Sequence, residues 1–464
     1  MRKVKQEDKL FFNNSDFQMI EHEEEFIFTS RKRFKWFKTS RTGYDILMNL
    51  DSKNTIKEVI QKISSDYELD CKIIENDIIN FCSHLLTEKL IETNVKNVVE
   101  EINTTLRTVY IDVTNVCNLK CYYCNKTIEK NESNASFMSM TNYKKILDTI
   151  SSKTSDNLPI LYITGGEPLL HPNIIEMLDY AHFKGFEIFL WTNGTMITEE
   201  NIDQLKEYCN SIIVSIDGSN SLINDAIRGS GTFDKIIQTC KILEDNKVPF
   251  LLSSTPNKKN IDDLTKIYSL AYNLGARGFF LNEPVFIKED GKDISEFFIK
   301  DVSLFNKVDE GLVKQSILVR SWKNNQLKRH NSNEDGTIYF KDIQKCFNNP
   351  IRLDKKKSCG VCLNEISINV EGIVHPCHNL HFNRFKLGDI GNYYKIRNEY
   401  EKNELRTLEE CKECFYWIFC LGGCKARALF YNENINFKSP DCNKLKQEYY
   451  NFLISPLQPK SEEL

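Results

Sequence analysis

Cys117, Cys121 and Cys124 stand in the stretch YIDVTNVCNLKCYYCN, separated by three and then two residues. Thiolates at this spacing suit a metal, yet three are one short: structural zinc takes four ligands, and a [4Fe–4S] cube has four irons. Three thiolates on a cube leave one iron open for a further ligand. A zinc site or a packed thiol cluster is the plainer reading of the same spacing. One strand further on, ITGGEPLLHP supplies Gly165, Gly166 and Glu167. The glycines let backbone approach a ligand closely and the glutamate can receive an ammonium group, although the string alone is also a turn.

A second set of thiols follows much later. CGVCLNEISINVEGIVHPC holds Cys359, Cys362 and Cys377; CKECFYWIFCLGGC holds Cys411, Cys414, Cys420 and Cys424; and Cys442 closes SPDC. Eight thiolates suffice for two fully ligated cubes, whereas a rubredoxin-like or zinc-ribbon site accounts for the CxxC pairs in isolation. Cys362 lies only three residues after Cys359, and Cys346 is an alternative candidate for the same iron. Cys71, Cys82, Cys209 and Cys240 lie scattered among apolar residues and read as packing.

The elements that must position these groups are visible in the hydrophobic pattern. From 106 to about 285 six β-branched runs (TVYIDV, PILYIT, FEIFLWT, SIIVSID, PFLLSST and RGFFLNE) alternate with helical stretches. This alternation predicts parallel strands with crossover helices, a partial β/α barrel whose functional residues sit at the C-terminal strand ends. Ser215 and Asp217 in VSIDG, and Asn193 in WTNGT, fall at such ends; all three also suit plain turns. Residues 1–95 form a separate module: strand material in EFIFTSRKRFKWFKTS, then apolar stripes at Ile56, Val59, Ile60 and Ile63 and at Ile74, Ile78, Phe81, Leu85 and Leu86. TNVKNVVEEINTT reads as the linker, 286–345 as helix with loops, and the tail beyond 346 as too poor in apolar residues to build a core unaided.

Sixteen cysteines in 464 residues are too dilute for a disulfide scaffold. A net charge of −4 gives no general attraction to nucleic acid or to an anionic membrane. The opening MRKVKQEDKLFF lacks an apolar secretory core, and no apolar run nears 18 residues, so a cytoplasmic protein is expected.

The CxxxCxxC spacing, the aromatic Tyr123 before its last cysteine and the GGEP string together resemble the radical S-adenosylmethionine (SAM) enzymes. The resemblance implies an α/β fold: a partial (β/α)6 TIM-like barrel at 106–310, a connecting segment at 311–345 and a cysteine-rich SPASM domain at 346–464. It implies that SAM binds the open iron of the Cys117/Cys121/Cys124 cluster and is cleaved to a 5′-deoxyadenosyl radical that abstracts hydrogen from substrate. Gly165, Gly166 and Glu167 would meet the methionyl amino group, Asn193, Ser215 and Asp217 would face SAM, and Arg228 of AIRGSGTF would contact its carboxylate. By the same resemblance two auxiliary [4Fe–4S] clusters fall to Cys359, Cys362, Cys377 and Cys424 and to Cys411, Cys414, Cys420 and Cys442, three clusters in all.

The N-terminal module resembles a PqqD-like leader-peptide recognition element, an α+β winged-helix-like unit that binds a precursor peptide as an added strand. A DNA-binding winged helix is the alternative; RKRFK is basic but the rest of the module is acidic. The function implied is maturation of a ribosomally made peptide, with an electron donor such as flavodoxin or ferredoxin. The product expected is a thioether of the sactipeptide or ranthipeptide type, by a reaction that removes two electrons from the peptide. Carbon–carbon crosslinking has the same redox demand. An anaerobic sulfatase maturase is the rival, but His378 stands after Cys377 where that family carries an aspartate. An iron–sulfur electron carrier without SAM chemistry is the reading from another class. No residue is singled out as catalytic acid or base, although His375, His378 and His381 lie together.

Overall fold

The computed structural model describes residues 3–30, 35–93, 106–124, 136–154, 158–282, 365–381, 383–402, 411, 413–420, 423, 426, 428–429 and 442–454. Cys346, Cys359, Cys362 and Cys424, the 286–345 segment and most of the expected linker lie outside these. The chain sorts into two compact units. One comprises Met1–Asn103 with Glu409–Gly422 and Cys442–Leu464; the other comprises Thr104–Leu408 with Gly423–Asp441.

In the first unit, β1 (Lys9–Phe11) pairs antiparallel with β5 (Asp51–Thr55), and β2 (Gln18–His22), β3 (Glu25–Ser30) and β4 (Lys35–Ser40) form an antiparallel sheet in that order. Three helices follow the amphipathic stripes: α1 (Arg41–Met48), α2 (Ile56–Asp66) and α3 (Cys71–Thr87). Thr55 opens α2 through a capping box with Glu58, and Asp70 caps α3, so polar side chains satisfy amides that a helix start leaves unpaired. Ile56, Val59, Ile60 and Ile63 join Ile78, Cys82 and Leu85 in one core with Phe12, Phe17 and Phe28.

In the second unit each of the six β-branched runs is a strand: β6 (Thr108–Asp112), β7 (Ile160–Thr164), β8 (Ile188–Thr192), β9 (Ser211–Ser215), β10 (Phe250–Ser254) and β11 (Gly278–Leu281). They are parallel and neighbours in sequence order, with α4 (Met140–Ser152), α5 (Ile174–Phe183), α6 (Ile202–Tyr208), α7 (Ser221–Arg228), α8 (Thr232–Asp245) and α9 (Leu264–Asn273) between them. Alternate residues (Val109, Ile111, Leu161, Ile163, Ile188, Leu190, Ile212 and Val214) enter the large apolar core. Residues of the opposite parity, including Tyr110, Tyr162 and Trp191, therefore share the other face of the sheet, where the Tyr110 and Tyr162 rings stack at 4.7 Å.

The described residues at 365–390 join the barrel rather than a core of their own. β12 (Glu365–Ile368) adds parallel to β6, and β13 (Val374–His375) folds back on it, extending the sheet to eight strands. Ile366, Ile368, Val374, Leu387 and Ile390 complete the barrel's own core, with Ile390 opening α10 (Ile390–Lys402).

Candidate radical SAM site

The cysteine loop leaves the C-terminal end of β6 and the GGEP loop leaves that of β7; the pairing of Asp112 with Thr164 fixes these ends side by side. The two loops then bond to each other. The amides of Gly166 and Glu167 donate to the carbonyls of Thr114 and Val116, each at 2.7 Å. A β-carbon on Gly165 would stand 2.3 Å from the Thr114 carbonyl oxygen, and one on Gly166 2.1 Å from that of Val116. Gly165 also has φ +137°, where L side chains are strained. Both positions thus require glycine so that the backbone carrying Cys117 can approach, a reason apart from contact with a ligand.

Glu167 is fully buried and holds three donors: the Thr192 hydroxyl at 2.6 Å, the Asn193 amide at 2.7 Å and the Leu169 amide at 3.2 Å. Burial raises its carboxyl to about 6 despite these bonds. Asn193 continues the chain of contacts, its side-chain amide donating to Asn118 Oδ1 at 2.8 Å and lying 3.9 Å from Cys117 Sγ. Thr195 closes the ring, donating to Asn193 Oδ1 from both amide and hydroxyl and accepting from Asn118 Nδ2 at 2.9 Å. Downstream of the GGEP string, His171 accepts from the Asn173 amide at Nδ1 and donates from Nε2 to the Met138 carbonyl at 3.0 Å; burial lowers its pKa, consistent with a neutral ring.

On the other side of the loop, Tyr122 N–H donates to the Ile227 carbonyl at 2.9 Å, binding the cysteine loop to α7. Tyr123 then reaches Asp217 Oδ2 at 2.7 Å, while Arg228 approaches the same oxygen with Nε at 2.7 Å and donates from Nη2 to the Tyr123 hydroxyl at 2.8 Å. Asp217 Oδ1 accepts from the Ser254 hydroxyl and the Thr255 amide. Burial works against the Arg228 charge, yet Asp217, Tyr123 and Cys121 hold its pKa above the ordinary value. Ser215 accepts from Trp191 Nε1 at 3.2 Å.

Among the described residues no three His, Cys, Asp or Glu side chains converge as a single-ion site. A cube divides its protein thiolates among separate irons, and the cysteine loop fits that demand. Cys117, Cys121 and Cys124 are half-buried on one loop, and the nearby Cys124 adds to the raised pKa of both Cys117 and Cys121, so the three face a shared space. Burial, the larger cause, pushes the Cys121 thiol up to about 11.

Residues 111–271 match the model of the Radical SAM superfamily. The chain carries a radical SAM domain. Residues 30–91 match that of coenzyme PQQ synthesis protein D, so a PqqD-like domain precedes the radical SAM domain. The antilisterial bacteriocin subtilosin biosynthesis protein AlbA of Bacillus subtilis (strain 168) is 25% identical over 435 residues, 89% of this chain and 90% of its own. The cysteine-type anaerobic sulfatase-maturating enzyme of Clostridium perfringens (strain 13 / Type A) is 25% identical over 336 residues, 67% of this chain and 86% of its own. In fold, the crystal structure of Streptococcus suis SuiB bound to precursor peptide SuiA superposes with TM-score 0.51 at 15% identity, covering 95% of this chain and all of that one. A radical SAM domain implies SAM and a [4Fe–4S] cluster as cofactors. No helix among the described residues is long and apolar enough to cross a membrane.

The radical SAM domain brings Cys117, Cys121, Cys124, Gly165, Gly166, Glu167, Asn193, Asp217 and Arg228 into one bonded assembly, with Ser215 on the strand beside it. Cys377 is buried in the barrel unit, whereas Cys411, Cys414, Cys420 and Cys442 belong to the unit of the PqqD-like domain. Sequence reading missed Asn118, Thr192, Ser254 and Thr255. Thr192 and Asn118 had a signal, standing beside Asn193 and Cys117; Ser254 and Thr255 had none beyond the end of a β-branched run.

Proposed function

We propose that this chain matures a ribosomally synthesised precursor peptide by radical SAM chemistry and installs a thioether between a cysteine sulfur and a carbon of another residue. The observation that carries this reading is a peptide-docking PqqD-like domain at 30–91 joined to a radical SAM domain at 111–271, in a chain similar to AlbA over nearly its whole length. Leader binding beside the N-terminal sheet tethers the core peptide to the chain that carries the barrel and raises its effective concentration.

Cys117, Cys121 and Cys124 would hold the cluster, and the GGEP loop, Asn193 and Ser215 would border SAM. When bound, the two cofactors supply a hydrogen-abstracting radical. The chain's own residues supply rigidity. Glu167 fixes the GGEP loop to the end of β8, Asn193 fixes the cysteine loop through Asn118, and the Arg228–Asp217 pair fixes Tyr123 beside Cys124. Two auxiliary [4Fe–4S] clusters complete the proposal. Their separation is supported by the grouping of Cys411, Cys414, Cys420 and Cys442 in one compact unit and Cys377 in the other.

The test is anaerobic coexpression with short cysteine-containing peptides encoded beside this gene. Loss of two hydrogens per link, with the cysteine no longer alkylatable, is the expected result. A carbon–carbon link leaves that thiol alkylatable, and formylglycine formation removes the sulfur altogether, the outcome favoured by likeness to the sulfatase-maturating enzyme. Cys121→Ala abolishes any of these changes while sparing peptide binding. An unchanged peptide, with no deoxyadenosine formed under strong reduction, would falsify the proposal.

A further inference from the structure

The three histidines that follow β12 are not equivalent. His375 is 2% exposed and closed off. His378 stands beside Cys377, packs on Tyr110 at 4.5 Å and points Nδ1 at Glu365 Oε1 across 3.2 Å. His381 is held at both nitrogens: Nδ1 lies 3.5 Å from Asp112 Oδ2, and Nε2 is hydrogen-bonded to the Ser367 hydroxyl. Its ring also stacks on His375 at 4.6 Å with an interplanar angle of 25°.

The position of this Asp–His–Ser chain matters as much as its bonding. Asp112 is the last residue of β6, in register with Thr164, which immediately precedes Gly165. It alternates with Ile111 and Val113, whose side chains enter the helix-facing core, so it lies on the opposite face of the sheet. Ser367 is in register with Tyr110 on that same face. The imidazole therefore stands at the strand ends from which the cysteine and GGEP loops depart, where barrel chemistry occurs. The His381 side chain is 22% exposed, and Asp112 13%, so a substrate can reach the ring.

We propose that His381, oriented by Asp112 and backed by Ser367, is the proton acceptor for peptide modification in this barrel. It takes the proton that a peptide thiol gives up before its sulfur is bonded to carbon, and so rests on the thioether reading above. With Nε2–H donated to the buried Ser367 hydroxyl, Nδ1 on the side of Asp112 is the accepting atom, and the carboxylate stabilises the imidazolium that results. The Ser367 hydroxyl, 1% exposed, accepts from Nε2–H in both charge states and leaves proton uptake to Nδ1. The step balances as thiol plus neutral imidazole giving thiolate plus imidazolium, and no electron moves in it. Among the described residues, the groups facing the ring include Asp112 from β6, Ser367 from β12 and His375 from β13, with the Lys386 charge acting on His375.

The test uses the holoenzyme with its precursor peptide, comparing wild type with H381Q and D112N. In H381Q, deoxyadenosine still forms and the peptide still binds, but thioether formed per deoxyadenosine falls by about a hundredfold. D112N gives a smaller fall. The wild-type pH profile of thioether formation declines on its acid side as the ring charges; H381Q lacks that limb and D112N shifts it to lower pH. An H381Q enzyme with wild-type yield and an unchanged acid limb overturns the proposal while leaving the thioether reading intact. A wild type that forms no thioether ends both. Iron content and circular dichroism matching wild type qualify the variants. Should H381Q fall short there, the acid limb of D112N decides alone, an unshifted limb counting against the proposal.

Discussion

Arg228 Nη2 donates to the Tyr123 hydroxyl across 2.8 Å, and that hydroxyl donates in turn to Asp217 across 2.7 Å. The aromatic residue before the last cysteine of the loop is thus fastened to a buried ion pair between β9 and α7. Tyr123→Phe removes one corner of the triangle and leaves Asp217 with Ser254, Thr255 and Arg228. A loss of about 1 kcal/mol is expected, the ordinary net worth of a hydrogen bond. Arg228→Met leaves the Asp217 carboxylate buried without a counter-charge, at a cost of about 3–5 kcal/mol. Denaturant unfolding of the two variants checks the order, and iron retention after reconstitution checks its consequence for Cys124.

Gly165→Ala and Gly166→Ala drive a methyl group to within 2.3 Å and 2.1 Å of the carbonyls of Thr114 and Val116. Both neighbours are backbone, so neither can yield without moving the segment that leads to Cys117. Each variant is expected to lose the two amide bonds between the loops and to hold less iron than wild type. Gly229 is the control: it too has positive φ, but a β-carbon there meets nothing within 4 Å. Gly229→Ala therefore costs about 1–3 kcal/mol of backbone strain and leaves iron content alone.

Glu167 links stability to pH through burial. An ordinary glutamate at 4.5 is raised here to about 6, so the folded state binds the proton more tightly than the unfolded chain does. The stability this contributes is fully present below about 4.5 and is lost as pH rises through about 6, a change of roughly 2 kcal/mol. Denaturation midpoints of the anaerobic apoprotein across that window, compared with Glu167→Gln, isolate the effect. Infrared difference spectra give a direct reading, with a protonated-carboxyl band at the acid end that Glu167→Gln lacks.

The six barrel strands were legible because β-branched runs between helical stretches leave little else to form. The cysteine and GGEP loops were legible because their spacing is itself the chemistry. The bonds that rigidify the site were not. The Tyr123–Asp217 and Tyr123–Arg228 contacts join residues 94 and 105 positions apart, and nothing local announces them. β12 and β13 were hidden differently: EISI and VH are too short to stand out in a polar tail, and they become strands only because β6 offers an edge. Glu409–Gly422 sorts with the N-terminal unit partly through the carbonyls of Glu413 and Phe415, which carry no trace of side-chain identity.

Those carbonyls give the last prediction. Thr29, 3% exposed on β3, donates its hydroxyl to the Phe415 carbonyl at 3.1 Å, and Gln18 on β2 donates to that of Glu413 at 3.1 Å. The segment between Cys411 and Cys420 is thereby pinned to the sheet of the PqqD-like domain. Thr29→Val keeps the shape of the side chain but leaves the half-buried Phe415 carbonyl short of a donor, at about 1 kcal/mol. Thr29→Ser retains the hydroxyl and is expected to restore the bond. Limited proteolysis of the anaerobic protein should cut between Cys411 and Cys420 faster in Thr29→Val than in wild type or Thr29→Ser. Equal cutting rates in all three would mean that the segment is held by its own turn, in which the Cys414 amide donates to the Cys411 carbonyl at 3.2 Å and the Trp417 amide to the Cys414 carbonyl at 3.1 Å.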